Sequence, residues 1–229
     1  MRLNKKIISV VCITSIMLGF DSSSSISIKE ISNSSSQEKH VELVKAACTL
    51  DSNIEIAKIE EERKVNITYI RDDITVPSKI TAEEMENILL NYKGASTMSH
   101  LSQAIVDAEE IYGVNALAVA AIVALESGFA TSRRAIEDNN LTGYEVYSDN
   151  SEGRLFSSQY DSILHTAKHL KENYLTEGGP YYIGLSVDDV QINYCPDEGK
   201  DKRWEEKVDK LASSFLQIYK DLYLNLQEQ

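Results

Sequence analysis

From Ala116 to Leu125 the chain is apolar at every position, so a helix drawn through it has no polar face. A helix that is apolar all round belongs in the middle of a domain. The run is far shorter than the about 20 residues a bilayer core requires, so it predicts a buried helix around which the other elements pack. Asn115 suits its N-cap, and Gly128 suits a left-handed residue just past its end. Between them stands an acid, Glu126, followed by Ser127. A carboxylate there faces the negative end of the helix macrodipole and loses water to its surroundings. Both effects raise a carboxyl pKa, as a general acid working near neutrality requires. A solvated glutamate just past a buried helix is the plain alternative.

The 229 residues suffice for one sizeable domain with extensions. Residues 1–20 place Arg2, Lys5 and Lys6 ahead of an apolar run from Ile7 to Phe20, the pattern of a signal peptide or of an uncleaved signal anchor. Residues 21–77 read as a linker or stalk. Its first part is rich in Ser, Asn and Gln, a charged segment with helical character follows, and Val65, Ile67 and Tyr69 alternate as a short extended piece before Pro77. The compact domain is expected at 78–227. Cys12 falls in the apolar run. Cys48 and Cys195 either pair in an oxidising exterior or stay as thiols, since sequence cannot show proximity.

Within 78–227 helical signals dominate. Thr81 and Glu84 have capping-box form, and a helix follows to about Tyr92. Ser99 to Tyr112 carries an apolar face and stops at Gly113. Arg133 to Glu137 suits one more turn. Residues 139–156 differ: Asn, Gly and Asp turn residues are interleaved with Leu141, Tyr144, Val146 and Tyr147, which predicts a small β-like lobe. Ser158 caps a further helix, Gly178-Gly179-Pro180 breaks the chain, and Ser186 with Asp189 starts a short helix. Trp204, Val208, Leu211, Phe215 and Ile218 share a face of the last one. The fold class expected is mainly α with a small β-like lobe, two lobes with a cleft between them, where ligands commonly bind.

The formal charge of −13 argues against nucleic acid or an anionic membrane surface as partner, since both reward Lys and Arg. It does not argue against a neutral sugar chain. No zinc-type Cys/His spacing occurs, so no metal and no cofactor is expected. Glycoside hydrolysis needs one protonated carboxyl and either a second carboxylate or the substrate's own acetamido group. Glu126 is the candidate acid. Glu145 and Glu152 in the β-like lobe are candidates for the second carboxylate, with solvated loop acids as the plain alternative.

The segment Ala124-Leu125-Glu126-Ser127-Gly128-Phe129, followed by Asn139-Asn140-Leu141-Thr142-Gly143, resembles the glucosaminidase family of bacterial cell-wall hydrolases, glycoside hydrolase family 73. Phe156-Ser157-Ser158, Gly178-Gly179-Pro180-Tyr181-Tyr182, Asn193-Tyr194, Asp201 and Trp204 continue the resemblance in order, and it covers about 78–220. It implies a lysozyme-like fold and an endo-β-N-acetylglucosaminidase cutting the GlcNAc-β-1,4-MurNAc bond of peptidoglycan. Glu126 matches the family's catalytic acid, and Tyr194 the motif tyrosine near the reacting sugar. Asn139 and Asn140 are expected to fix the turn below the cleft. Phe129, Asn140, Tyr144, Tyr147 and Tyr181 are the substrate-binding candidates, with core packing the alternative for the aromatic ones. Two departures stand out: Phe129 replaces the family's usual Trp, and Thr142 the Phe of Asn-Asn-Leu-Phe-Gly. The second catalytic group stays open between inversion, with carboxyls roughly 6.5–9.5 Å apart, and retention assisted by the acetamido oxygen. A muramidase or lytic transglycosylase on the same fold, or a non-catalytic wall-glycan binder, is the rival reading. The expected partner is peptidoglycan, with membrane contact only through residues 1–20. The protein is expected to be a secreted or wall-associated monomer.

Overall fold

The computed structural model describes residue 49 and residues 52–146, 153–196 and 203–224. The chain divides into two units, Met1–Ala57 and Lys58–Gln229. In the first, the described residues 49 and 52–57 are helical, and the expected signal segment, Cys12 and Cys48 lie outside them. The second unit carries the folded domain and opens with helical residues 58–65. Its further helices are α1 (Ala82–Asn91), α2 (Ser102–Tyr112), α3 (Ala116–Ser127), α4 (Arg133–Glu137), α5 (Gln159–Asn173), α6 (Val187–Tyr194) and α7 (Trp204–Tyr223). A 3-10 turn, Ser96–Leu101, leads into α2. The mainly helical architecture agrees with the sequence reading.

The apolar run is the core helix α3. Every residue from Ala116 to Ala124 is at most 1% exposed. Burying side chains such as Leu117, Ile122 and Val123 stabilises the fold by about 1.5–3 kcal/mol each, and the alanines between them let α7 approach closely. Adding bulk at Ala120 or Ala121 would overpack this contact. Asn115 caps α3 through Oδ1, which accepts from Leu117 N and Ala118 N at 3.0 and 3.3 Å. Glu109, at the end of α2, accepts from Ala116 N at 2.7 Å as well as from Ser78 N and Lys79 N. The helix therefore starts with its orphan amides satisfied, although it lies inside the domain.

The lower boundary of the domain differs from the expected residue 78. Ile67, Tyr69 and Ile74 are core residues. Asn115 Nδ2 donates to Thr68 O and Val76 O, and Asn115 N donates to Ile74 O. Ile74 N donates to Leu185 O, and Arg71 forms a two-pronged pair with Asp188 at 2.6 and 2.7 Å. Residues 67–76 are thus a strap joining the starts of α3 and α6. The Ile67/Tyr69 alternation reads as a short extended piece of linker, whereas both side chains are buried in the core; the charged Arg71-Asp72-Asp73 beside it disguised the segment.

Residues 139–146 and 153–156 are the described part of the small lobe. Its described residues hold turns in place of the short strands expected. Two arms of the loop meet where Arg154 N donates to Tyr144 O at 3.0 Å. The fully enclosed Asn140 supplies three further bonds: Nδ2 donates to Tyr144 O and Arg154 O, and Oδ1 accepts from Tyr144 N. A side-chain amide here does what a strand ladder does elsewhere. A Cβ on Gly153 would sit 2.6 Å from Val146 Cγ2, so the loop closes only with glycine there.

Candidate active site

Glu126 lies on the last turn of α3, where burial stops abruptly. Ala124 is enclosed, Leu125 is half-buried and Glu126 is exposed. The desolvated acid expected from the wholly apolar helix is therefore corrected, because the helix runs out into the cleft one turn before its end. Ser127 explains the Glu-Ser-Gly order. Its hydroxyl is buried, donates to Val123 O and accepts from Ala130 N at 2.7 Å. Gly128, Phe129 and Ala130 then follow in left-handed conformation, with φ of 59°, 60° and 60°. Such a conformation costs roughly 1–3 kcal/mol at a non-glycine residue, and the Ser127 bonds hold it in place.

The acid is held from the other end of the sequence. Trp204, the first residue of α7 and 3% exposed, donates its indole N–H to Glu126 Oε1 at 2.6 Å. The Tyr194 ring, at the end of α6, lies 5.1 Å from the Trp204 ring, and Tyr174 lies 5.7 Å from Tyr194. Desolvation first, then the negative charge of Glu126, pushes the Tyr194 phenol well above the usual tyrosine range, so it stays protonated. Thr142 borders the same hollow as Tyr194, and its hydroxyl sits 2.9 Å from that of Thr166. The residue that departs from the family's Phe thus places a hydroxyl against α5 in the hollow that Tyr194 lines.

Glu126 stands at the meeting of two hollows. One, of about 410 Å³, is bordered by Thr142, Tyr144, Glu145, His169, Tyr174 and Tyr194. The other, of about 280 Å³, is bordered by Ser132, Arg133, Arg134, Asn140 and Val146. Together they make a cleft with the acid at its middle, one arm aromatic and the other basic. Behind the aromatic arm, Tyr144 packs edge-on against His165 and His169, at 4.3 and 5.2 Å. Arg154 donates to His165 Nε2 at 3.0 Å and lies over the Tyr144 and Phe156 rings. Desolvation holds both imidazoles below the ordinary histidine value, with Arg154 adding to the effect at His165.

The structure brings Glu126, Tyr194, Glu145 and Tyr144 into one arm and places Asn140 in the other. Phe129 and Tyr181 line neither. Phe129 stacks on Tyr92 at 5.9 Å, on the core side of its left-handed turn, and Tyr181 lies against Tyr174 at 5.1 Å. Glu152 and Tyr147 lie outside the described residues. Sequence reading missed the Trp204 bond to the acid, the His165/His169 support and the basic arm. Trp204 carried a visible signal, since it closes the ordered series of motifs, but helical spacing assigned it to the core. Among the described residues, no group of three or more His, Cys, Asp or Glu is placed to hold a metal ion. No described helix is long and apolar enough to cross a membrane.

With this geometry in hand, comparison with known proteins is informative. The family described as mannosyl-glycoprotein endo-beta-N-acetylglucosaminidase matches residues 102–217. Two putative endo-beta-N-acetylglucosaminidases of Streptococcus pneumoniae strains are each 29% identical over 163 residues. That alignment covers 69% of this chain but only 23% and 22% of the relatives, so the chain spans less than a quarter of their length. Among solved structures, S. aureus autolysin E superposes with a TM-score of 0.50 at 19% identity, covering 71% of this chain and 78% of that one. A catalytic mutant of autolysin E in complex with the disaccharide NAG-NAM gives the same TM-score at 18% identity, covering 70% and 77%. The lysozyme-like fold expected from the sequence is thereby established.

Proposed function

The chain belongs to the glucosaminidase family, and from that premise we propose that it is a peptidoglycan hydrolase cutting the GlcNAc-β-1,4-MurNAc bond, with Glu126 as general acid. One observation carries the reading: a glutamate at the centre of a two-armed cleft, gripped by the indole N–H of Trp204 and flanked by a protonated tyrosine. An indole N–H only donates, so Glu126 Oε1 accepts and the transferable proton sits on Oε2. As that proton passes to the glycosidic oxygen, the carboxylate gains charge. The Trp204 bond then strengthens to a charge-assisted one. Stabilisation that grows toward the transition state raises rate, where uniform binding does not.

On the other face of the sugar, the acetamido oxygen of GlcNAc attacks the anomeric carbon as the leaving oxygen departs, and water then opens the cyclic intermediate with net retention. Tyr194, neutral and lining the same hollow as Glu126, offers a donor beside the reacting ring. Glu145 borders the same arm and would serve as base if the reaction instead inverted. The anomer first formed separates the two routes: β under acetamido assistance, α under inversion.

The test is a digest of purified peptidoglycan by parent and Glu126→Gln protein, read by mass spectrometry. Reducing-end GlcNAc from the parent alone supports the proposal. Reducing MurNAc or anhydro-MurNAc would assign a muramidase or lytic transglycosylase instead. Wall binding without any cleavage would leave a glycan-binding protein.

A further inference from the structure

We propose that the basic arm of the cleft binds the carboxylates of the peptide stem borne by the leaving MurNAc, so that Arg133, held beside Arg134, selects glycan with free-acid stems over glycan with amidated stems. This rests on the reading just given. The two arms beside Glu126 differ sharply in chemistry. One presents Tyr144, Tyr174 and Tyr194, surfaces suited to an uncharged sugar face. The other presents two guanidinium groups beside small polar side chains. In a chain with net charge −13, paired cations at the catalytic acid are contrary to the general surface.

The scissile bond joins a neutral GlcNAc to a MurNAc whose lactyl group carries a peptide with free carboxyl groups. With the reacting sugar beside Tyr194, as the reading above has it, the leaving sugar lies across Glu126 on the arginine side. The anion and the cations then coincide only if GlcNAc is the reacting sugar. The same arm thereby favours cutting after GlcNAc over cutting after MurNAc.

Both arginines are presented by the short helix α4, directly after the left-handed turn that follows Glu126. Arg134 is the more enclosed, at 16% side-chain exposure. It pairs with Asp138 at 3.6 Å and lies close under Gly153 of the small lobe. Arg133 is 60% exposed and shares one N–H with Glu137 at 2.9 Å. Exposed pairs of this spacing are weak, and a guanidinium keeps further donors for a two-pronged bond to a ligand carboxylate. Arg133 is thus the ligand-facing member and Arg134 the anchored one.

The experiment compares two soluble glycan substrates of equal length, one with free-acid stems and one with amidated stems. For the parent, kcat/KM on free-acid stems should exceed that on amidated stems by about fivefold, as expected for one partly exposed charge-assisted contact. The ratio should shrink as salt is raised. Arg133→Gln should bring the ratio close to one, and Arg133→Lys should keep part of it. Binding of the same chains to Glu126→Gln protein gives a readout that needs no cleavage. Equal affinity for free-acid and amidated chains, or an unchanged preference in Arg133→Gln, would overturn the proposal. Absence of reducing-end GlcNAc with every substrate, alongside retained free-acid preference in binding, would overturn the hydrolase reading and not this one.

Discussion

The indole nitrogen of Trp204 and the Oε1 of Glu126 lie 2.6 Å apart although 78 residues separate them in the chain. The first residue of α7 therefore orients the carboxyl group at the end of α3, and the packing of these two helices fixes where it stands in the cleft. Trp204→Phe keeps most of the buried ring and removes the donor. We expect kcat to fall about 10- to 100-fold, the scale of a lost hydrogen bond to a charged group, with helical content retained by circular dichroism. A Phe variant with parental kcat on purified peptidoglycan would remove Trp204 from the mechanism.

Asn140 bridges the two arms of the small lobe, so its loss should be felt in the cleft. Asn140→Ala leaves Tyr144 N without its acceptor and Arg154 O without its donor. A cost of about 2–4 kcal/mol follows from stranding such groups. Hydrogen exchange should quicken in residues 143–146 and 153–155 while α3 stays protected, and KM should rise more than kcat falls. Uniform exchange across the domain would contradict a local role.

The histidine pair beneath Tyr144 makes stability depend on pH in a defined direction. Both imidazoles are held below the ordinary value of 6.5. The unfolded chain thus binds protons that the folded chain resists, and stability rises with pH. The contribution is complete above 6.5 and is lost as pH falls through the lower folded-state values. Urea unfolding at about pH 7.5 and about pH 5.5, above the range in which carboxylates titrate, should give lower stability at the acid end. The double change His165→Gln, His169→Gln should flatten that difference. A parental slope in the double variant would place the dependence elsewhere.

Glu109 is buried at 9% exposure and accepts three backbone amides: Ser78 N at 2.7 Å, Lys79 N at 2.9 Å and Ala116 N at 2.7 Å. Glu109→Ala should cost about 3–5 kcal/mol, since buried donors lose their acceptor together. Glu109→Gln should cost less, because one oxygen still accepts. Urea midpoints for the two variants give the order. Equal midpoints with the parent would show that water replaces the carboxylate.

Much of this was legible in sequence because it is local. The unbroken apolar run specified α3, the Thr81/Glu84 pair specified a capping box, and Ser186 with Asp189 the start of a short helix, which the structure caps in the same way. Glu126 was singled out by its position relative to that run. What was hidden depends on residues far apart. The Trp204 bond, the Arg154–His165 contact and the strap at 67–76 leave no periodic trace. The small lobe was read as short strands from its β-favouring residues, whereas its described part is tied by the Asn139 and Asn140 side chains and a backbone bond from Arg154 to Tyr144. Phe129 looked available to sugar, but the left-handed turn at 128–130 carries its ring to Tyr92.

The strap at residues 67–76 has a consequence for how the molecule is made. It emerges early in synthesis, yet its partners include Asn115, Leu185, Asp188 and Asp209, the last 140 residues beyond Tyr69. Contacts across such separations pay their loop-closure cost before they are rewarded. The cap at Asn115 can join the strap early, but the start of α6 is fastened only when nearly the whole domain has been translated. A fragment beginning at Ser78 would carry every residue of the cleft and lack the fastening.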